Sequence, residues 1–186
     1  MPNLKQHVLP LIFLLQAVLN LVFYGFPAFM FSVIVPNSLY EELARTLPFA
    51  MLLYFGLGIL ALHYISTGNL QRGRPLGVIY LGFGALGSAA VLSRFSNDAP
   101  ALLVLHFLWL VLSIAGIVLL LLGVGASREL SIVAMVLLGL SALLSAFVAD
   151  WMVTDYYIHV HMGDNIPENA SVIVAYPENV SINATG

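Results

Sequence analysis

Charge is scarce in this sequence, and cysteine is missing altogether. Only 8% of the 186 residues are Asp, Glu, Lys or Arg, against about 25% in an average soluble domain. So few charges cannot cover the surface of a water-soluble fold. With 61% hydrophobic residues and a mean hydropathy of +1.00, the composition is that of a polytopic membrane protein. The absence of cysteine excludes disulfides, thiolate zinc sites and cysteine-ligated iron–sulfur clusters, and leaves the redox compartment open. The net charge of −3 says little, because its sign changes along the chain. No nucleic-acid partner is expected.

What is present is a series of long apolar runs. The first covers 8–35 and is too long for a signal-peptide core, so it reads as a retained span. As one helix it would reach roughly 40 Å, more than the ~30 Å hydrocarbon slab. Gly25 and Pro27 offer two resolutions: a kink, or a helix end with 28–35 lying along the interface. Further spans are expected at 48–65, 76–92, 101–125 and 130–149. The segment 66–75, rich in turn formers, reads as a tight loop holding Arg72 and Arg74. Ser127, Arg128 and Glu129 form a brief break, so the last two spans should make an antiparallel hairpin. The expected fold class is therefore an all-α integral membrane protein. Its five-span helical bundle occupies 1–152, followed by a short extracytoplasmic, partly β-prone C-terminal tail at 153–186.

Orientation follows from the basic residues. A cytoplasmic N-terminus puts Lys5, Arg72, Arg74 and Arg128 inside and leaves only Arg45 and Arg94 outside. Five spans then put the C-terminus outside, where residues 151–186 hold no Lys or Arg. The tail repeats itself: Pro167-Glu-Asn-Ala-Ser-Val returns as Pro177-Glu-Asn-Val-Ser-Ile. The β-branched runs 172–176 and 180–183 are strand-like and suit a small hairpin, which is marginal alone in water and needs support.

Three N-x-[ST] sequons, at Asn169, Asn179 and Asn183, are confined to this tail. That makes glycosylation there one reading, and an Asn/Ser-rich unmodified tail the other.

The edge where the last span ends gathers Asp150, Asp155, His159, His161 and Asp164. In an extended segment, His159 and His161 point to one face. With Asp155, and with His106 brought by the fourth span, they form a candidate copper or zinc site. The plainer reading is interfacial histidines that bind nothing, and it is favoured. His63 and His106 do not suit a single haem, because the topology places them near opposite ends of their spans. Arg94 and Asp150 close the third and fifth spans on the same side and are expected to form a structural ion pair. The third span carries small residues at Gly84-x-x-x-Ser88 and Ala85-x-x-x-Ala89, and the fifth at Ser141, Ser145 and Ala149. Such stripes let membrane helices approach closely.

Three functions fit these residues. The first is a non-catalytic membrane subunit that scaffolds or stabilises a larger complex, in contact with lipid and with other membrane subunits. No span carries a central Asp, Glu, Lys or Arg of the kind that marks an ion pathway, and the strand-like tail suits docking. The second is a metal- or redox-cofactor-binding component of a membrane enzyme, using the outer His/Asp cluster. The third is a small transporter, for which the break at Gly25 and Pro27 is the main support. The helical layout loosely resembles the small DoxX-like membrane proteins, which are compact four-helix bundles. The fifth span and the tail depart from that pattern, and no functional residue is carried over.

Overall fold

The computed structural model describes the backbone of residues 5–23, 27, 46–94 and 100–157, with the side chains at 94, 100–102 and 154–157 outside that description. The chain divides into two units, Met1–Val153 and Thr154–Gly186, and all packing below lies within the first. Among the described residues, five long helices follow one another: α1 (Lys5–Val22), α2 (Leu47–Ser66), α3 (Leu70–Arg94), α4 (Pro100–Leu121) and α5 (Arg128–Tyr157). All five are long and apolar enough to cross a membrane, as in a multi-pass membrane protein. No strand occurs among the described residues, and the repeat-bearing tail lies outside them.

Local chemistry sets the helix ends. Thr46 precedes α2, with Pro48 in its first turn, where a missing N–H costs no hydrogen bond. The α2 end closes on Gly68, whose φ of 85° is open to glycine at no steric cost. Gly68 N–H donates to Ile65 O and Asn69 N–H to Tyr64 O, at 3.1 and 2.8 Å. This is the Schellman pattern that satisfies the last carbonyls of a helix. The end of α4 repeats it: Gly123 has φ 75°, and Gly123 and Val124 N–H donate to Leu120 O and Leu119 O at 3.1 and 3.0 Å.

The connection between α2 and α3 is shorter than the expected loop at 66–75. Asn69 already caps α3, its Oδ1 accepting from Arg72 N–H at 3.3 Å. Arg72, Arg74 and Pro75 are therefore helical, with Pro75 inside α3. The turn formers mark one tight turn and a cap, and Pro75 removes a single backbone bond early in the helix. Two other boundaries move. The fourth span stops at Leu121, before the expected 125, and α5 begins at Arg128 and runs to Tyr157, well past 149. The first helix ends at Val22, before Gly25.

Helix α3 is the central element, packed against α2 on one side and α4 on the other, while α1 lies on α4. Its buried face runs Gly73, Gly77, Tyr80, Leu81, Gly84, Gly87, Ser88 and Val91, a helical three-four spacing. Gly73 brings it hard against α2: a β-carbon there would meet Ala61 O and Ile65 N at 3.0 Å. Ser88 is buried with Gly84, whereas Ala89 is exposed. The first of the two expected stripes thus faces the bundle, and the second ends on its outside. In the middle, Phe13 of α1 stacks on Tyr80 at 5.2 Å, and Tyr80 lies 4.6 Å from Tyr54 of α2. The outward positions carry Phe49, Leu53, Phe83, Phe107, Leu121 and Phe147, an apolar exterior suited to lipid contact.

Candidate functional site

Two regions bring polar side chains together. The first is a seam between α1 and α5. Gln16 and Asn20 are four residues apart, as are Ser141 and Ser145, so each pair shares one helix face. All four are fully buried. Asn20 sits at the centre. Its Nδ2 donates to Ser141 O at 3.2 Å, and its Oδ1 accepts from Ser145 Oγ at 3.1 Å. Ser141 Oγ in turn donates to Ala17 O at 3.1 Å. One turn earlier, Gln16 Nε2 donates to Ser113 Oγ of α4 at 2.9 Å. Small residues make these contacts possible, because Ser141, Ser145 and Ala149 are all buried on the same face of α5.

The second region adjoins the first at Ser113 and centres on Gly84. A β-carbon at that position would lie 2.8 Å from Trp109 Nε1, 2.8 Å from Tyr54 Oη and 3.2 Å from Ser113 Oγ. The indole of Trp109 and the hydroxyl of Tyr54 interact. Three polar groups from α2 and α4 thus converge on the backbone of α3, in space that only glycine leaves open. His106, also fully buried, lies on the same face of α4 as Trp109 and Ser113. Every group in both regions is a neutral hydrogen-bonding group or an imidazole. What they can do is hold five helices in one register: interhelical hydrogen bonds inside membranes average about 0.6 kcal/mol, with model peptides at roughly 1–2.

Of the residues singled out from sequence, His106 is a fully buried core residue in the first half of α4. Asp155 belongs to the last turn of α5 with its side chain outside the description, and His159 and His161 lie outside the described residues. Among the described residues, no three His, Cys, Asp or Glu side chains gather as a metal site would require. Asn169, Asn179 and Asn183 lie beyond the described residues too. Asp150 is exposed on α5, and Arg94 ends α3 with its side chain outside the description. His63 is exposed near the end of α2.

Sequence reasoning passed over Gln16 and Asn20. Their signal was legible: two amides four residues apart in an otherwise apolar span, matched by two serines at the same spacing in the fifth. Tyr54, Tyr80 and Trp109 offered no such signal, since aromatic residues in apolar helices usually read as core. Compared with protein-family models, curated proteins and solved structures, the chain matches none.

Proposed function

We propose that the protein is a non-catalytic, membrane-embedded subunit that scaffolds or stabilises a larger membrane complex, with its N-terminus cytoplasmic and its C-terminus extracytoplasmic. The observation that carries this reading is the use made of the interior polar groups. Gln16, Asn20, Ser113, Ser141 and Ser145 bond to one another or to backbone across helices, so the seam serves cohesion.

Two features support the orientation and the docking role. Ser127 N–H donates to Gln6 O at 2.8 Å, and the Arg74 guanidinium packs over Gly123. The basic residues Lys5, Arg72, Arg74 and Arg128 therefore share one end of the bundle, as a cytoplasmic face would. At the other end α5, with 30 residues, is roughly 45 Å long. That exceeds a ~30 Å hydrocarbon slab and presents Trp151 at 62% exposure, an interfacial aromatic of the usual kind. The tail at 167–186 is proposed to dock on a partner subunit, its β-prone runs pairing with a sheet edge.

Mild-detergent purification of the full chain and of a chain lacking 167–186 tests this. The full chain should retain a defined membrane partner, and the shortened chain should remain helical and lose it. Equal partner recovery from both would remove the tail from the docking role, and a full chain that purifies alone would refute the subunit reading.

A further inference from the structure

A cavity of about 650 Å³ opens at the basic end, lined by Lys5, Gln6, Val8, Leu119, Leu122, Gly123, Val124 and Gly125. We propose that it binds the phosphate headgroup of an anionic phospholipid, with Lys5 and Arg74 as the cations and with Val8, Leu119 and Leu122 as the wall for the start of an acyl chain.

The cavity is built by backbone as much as by side chains. Pro10 has no N–H, so the carbonyl of Gln6 lacks its intrahelical donor. Ser127 N–H takes that place at 2.8 Å and clamps the α4–α5 turn onto α1. The clamp fixes Gln6 and the glycine-containing turn as neighbouring walls. Gly123, with φ 75°, leaves the space into which a terminal nitrogen of Arg74 reaches. Arg74 Nε is buried without a hydrogen-bond partner among the described residues. The Nε is closed off from the cavity, so the part of Arg74 that an anion there would meet is the charged guanidinium end beside Gly123, whose donors match phosphate oxygens. Lys5 is exposed at the rim and adds a second positive charge.

The apolar wall is what selects a lipid over a free anion. Leu122 is 73% and Val8 39% exposed, beside the cation rather than away from it. A free phosphate gains nothing from such a wall, whereas a phospholipid uses both parts at once. Roughly 300–1,000 Å³ is the usual size of a small-molecule site. Neither Arg72 nor Arg74 lines the cavity directly; Arg74 reaches its Gly123 wall, whereas Arg72, in the same α3 turn, is exposed. It serves as an internal control for bulk attraction to an acidic membrane surface.

The site rests on membrane insertion with this end at a leaflet surface, so alkaline extraction of membranes comes first. Release of the full chain into the soluble fraction would overturn insertion and the site together. The protein that stays embedded is then purified in a mild detergent and titrated with phosphatidylglycerol, phosphatidylcholine or inorganic phosphate, following bound lipid by native mass spectrometry and thermal stability. Phosphatidylglycerol should bind and stabilise, and the other two should not. Lys5→Gln and Arg74→Gln should each weaken that binding about fivefold, and Arg72→Gln should leave it within about twofold. Lys5→Gln alters an exposed side chain, so it reads the site even if Arg74→Gln does not fold. Equal losses in Arg72→Gln and Lys5→Gln, or equal affinity for phosphatidylcholine, would overturn the site. Stabilisation by inorganic phosphate matching that by the lipid would overturn the lipid assignment in favour of a free anion.

Discussion

Replacing Asn20 by Leu tests the polar seam most directly. Asn20 makes two hydrogen bonds to α5, from Nδ2 to Ser141 O and to Oδ1 from Ser145 Oγ. At about 0.6 kcal/mol each, and no more than about 1.7, they account for roughly 1–3 kcal/mol. Leucine recovers part of this through apolar contact, but it leaves the Ser145 hydroxyl without its acceptor. The carbonyl of Ser141 suffers less, since within α5 it keeps the helical bond from the residue four positions on. Asn20→Leu should therefore destabilise the bundle by about 1–2 kcal/mol. Ser145→Ala should cost under about 1 kcal/mol, because its small side chain leaves little space behind. Together the two should lose less than their sum, with a coupling of about 0.5–1 kcal/mol. The assay is equilibrium unfolding in mixed micelles with a rising fraction of dodecyl sulfate, followed by helicity and by tryptophan emission. Strict additivity of the two losses would refute the contact. A gain in stability for Asn20→Leu would refute the claim that the seam holds α1 to α5.

Two further expectations follow from the described geometry. Gly84→Ala should destabilise by about 1–3 kcal/mol, because the new methyl overlaps Trp109 Nε1 and Tyr54 Oη and side-chain shifts alone must absorb it; an unchanged midpoint in the same assay would show that the three polar groups do not converge there. For orientation, single cysteines at Ser66 and Ser171 of the naturally cysteine-free chain should react with an impermeant reagent in intact cells at 171 and not at 66, and the reverse pattern would invert the topology.

The five apolar helices were legible in the sequence because each carries about twenty residues of greasy side chains, and little else in a protein needs that. The turns were less so. At 66–75 the composition of a loop concealed a cap, since Asn69 ends one helix and begins the next within three residues, and Pro75 is tolerated close to a helix start. The reach of α5 to Tyr157 was hidden because Asp150 and Asp155 look like an exit from the membrane, while a helix is free to continue through the interface into water. The seam was half-legible: Ser141, Ser145 and Ala149 stood out as a small-residue stripe, but nothing in that stripe says whether it meets Asn20 or an apolar neighbour. The convergence on Gly84 was not legible at all, because it joins three helices through residues far apart in the chain.

The proline in α1 has a consequence for how the molecule is put together. Synthesis delivers α1 first, with the Gln6 carbonyl open and the Gln16 and Asn20 amides facing lipid. Among the described residues, α2 supplies them no hydrogen bond. The groups that do bond them, Ser113, Ser127, Ser141 and Ser145, arrive with the last two helices. Helices α2, α3 and α4 can zip up as successive neighbours, while the oldest segment waits at the margin for the youngest. A product that lacks α5 leaves the Asn20 amide without the Ser141 and Ser145 partners it has in the folded protein.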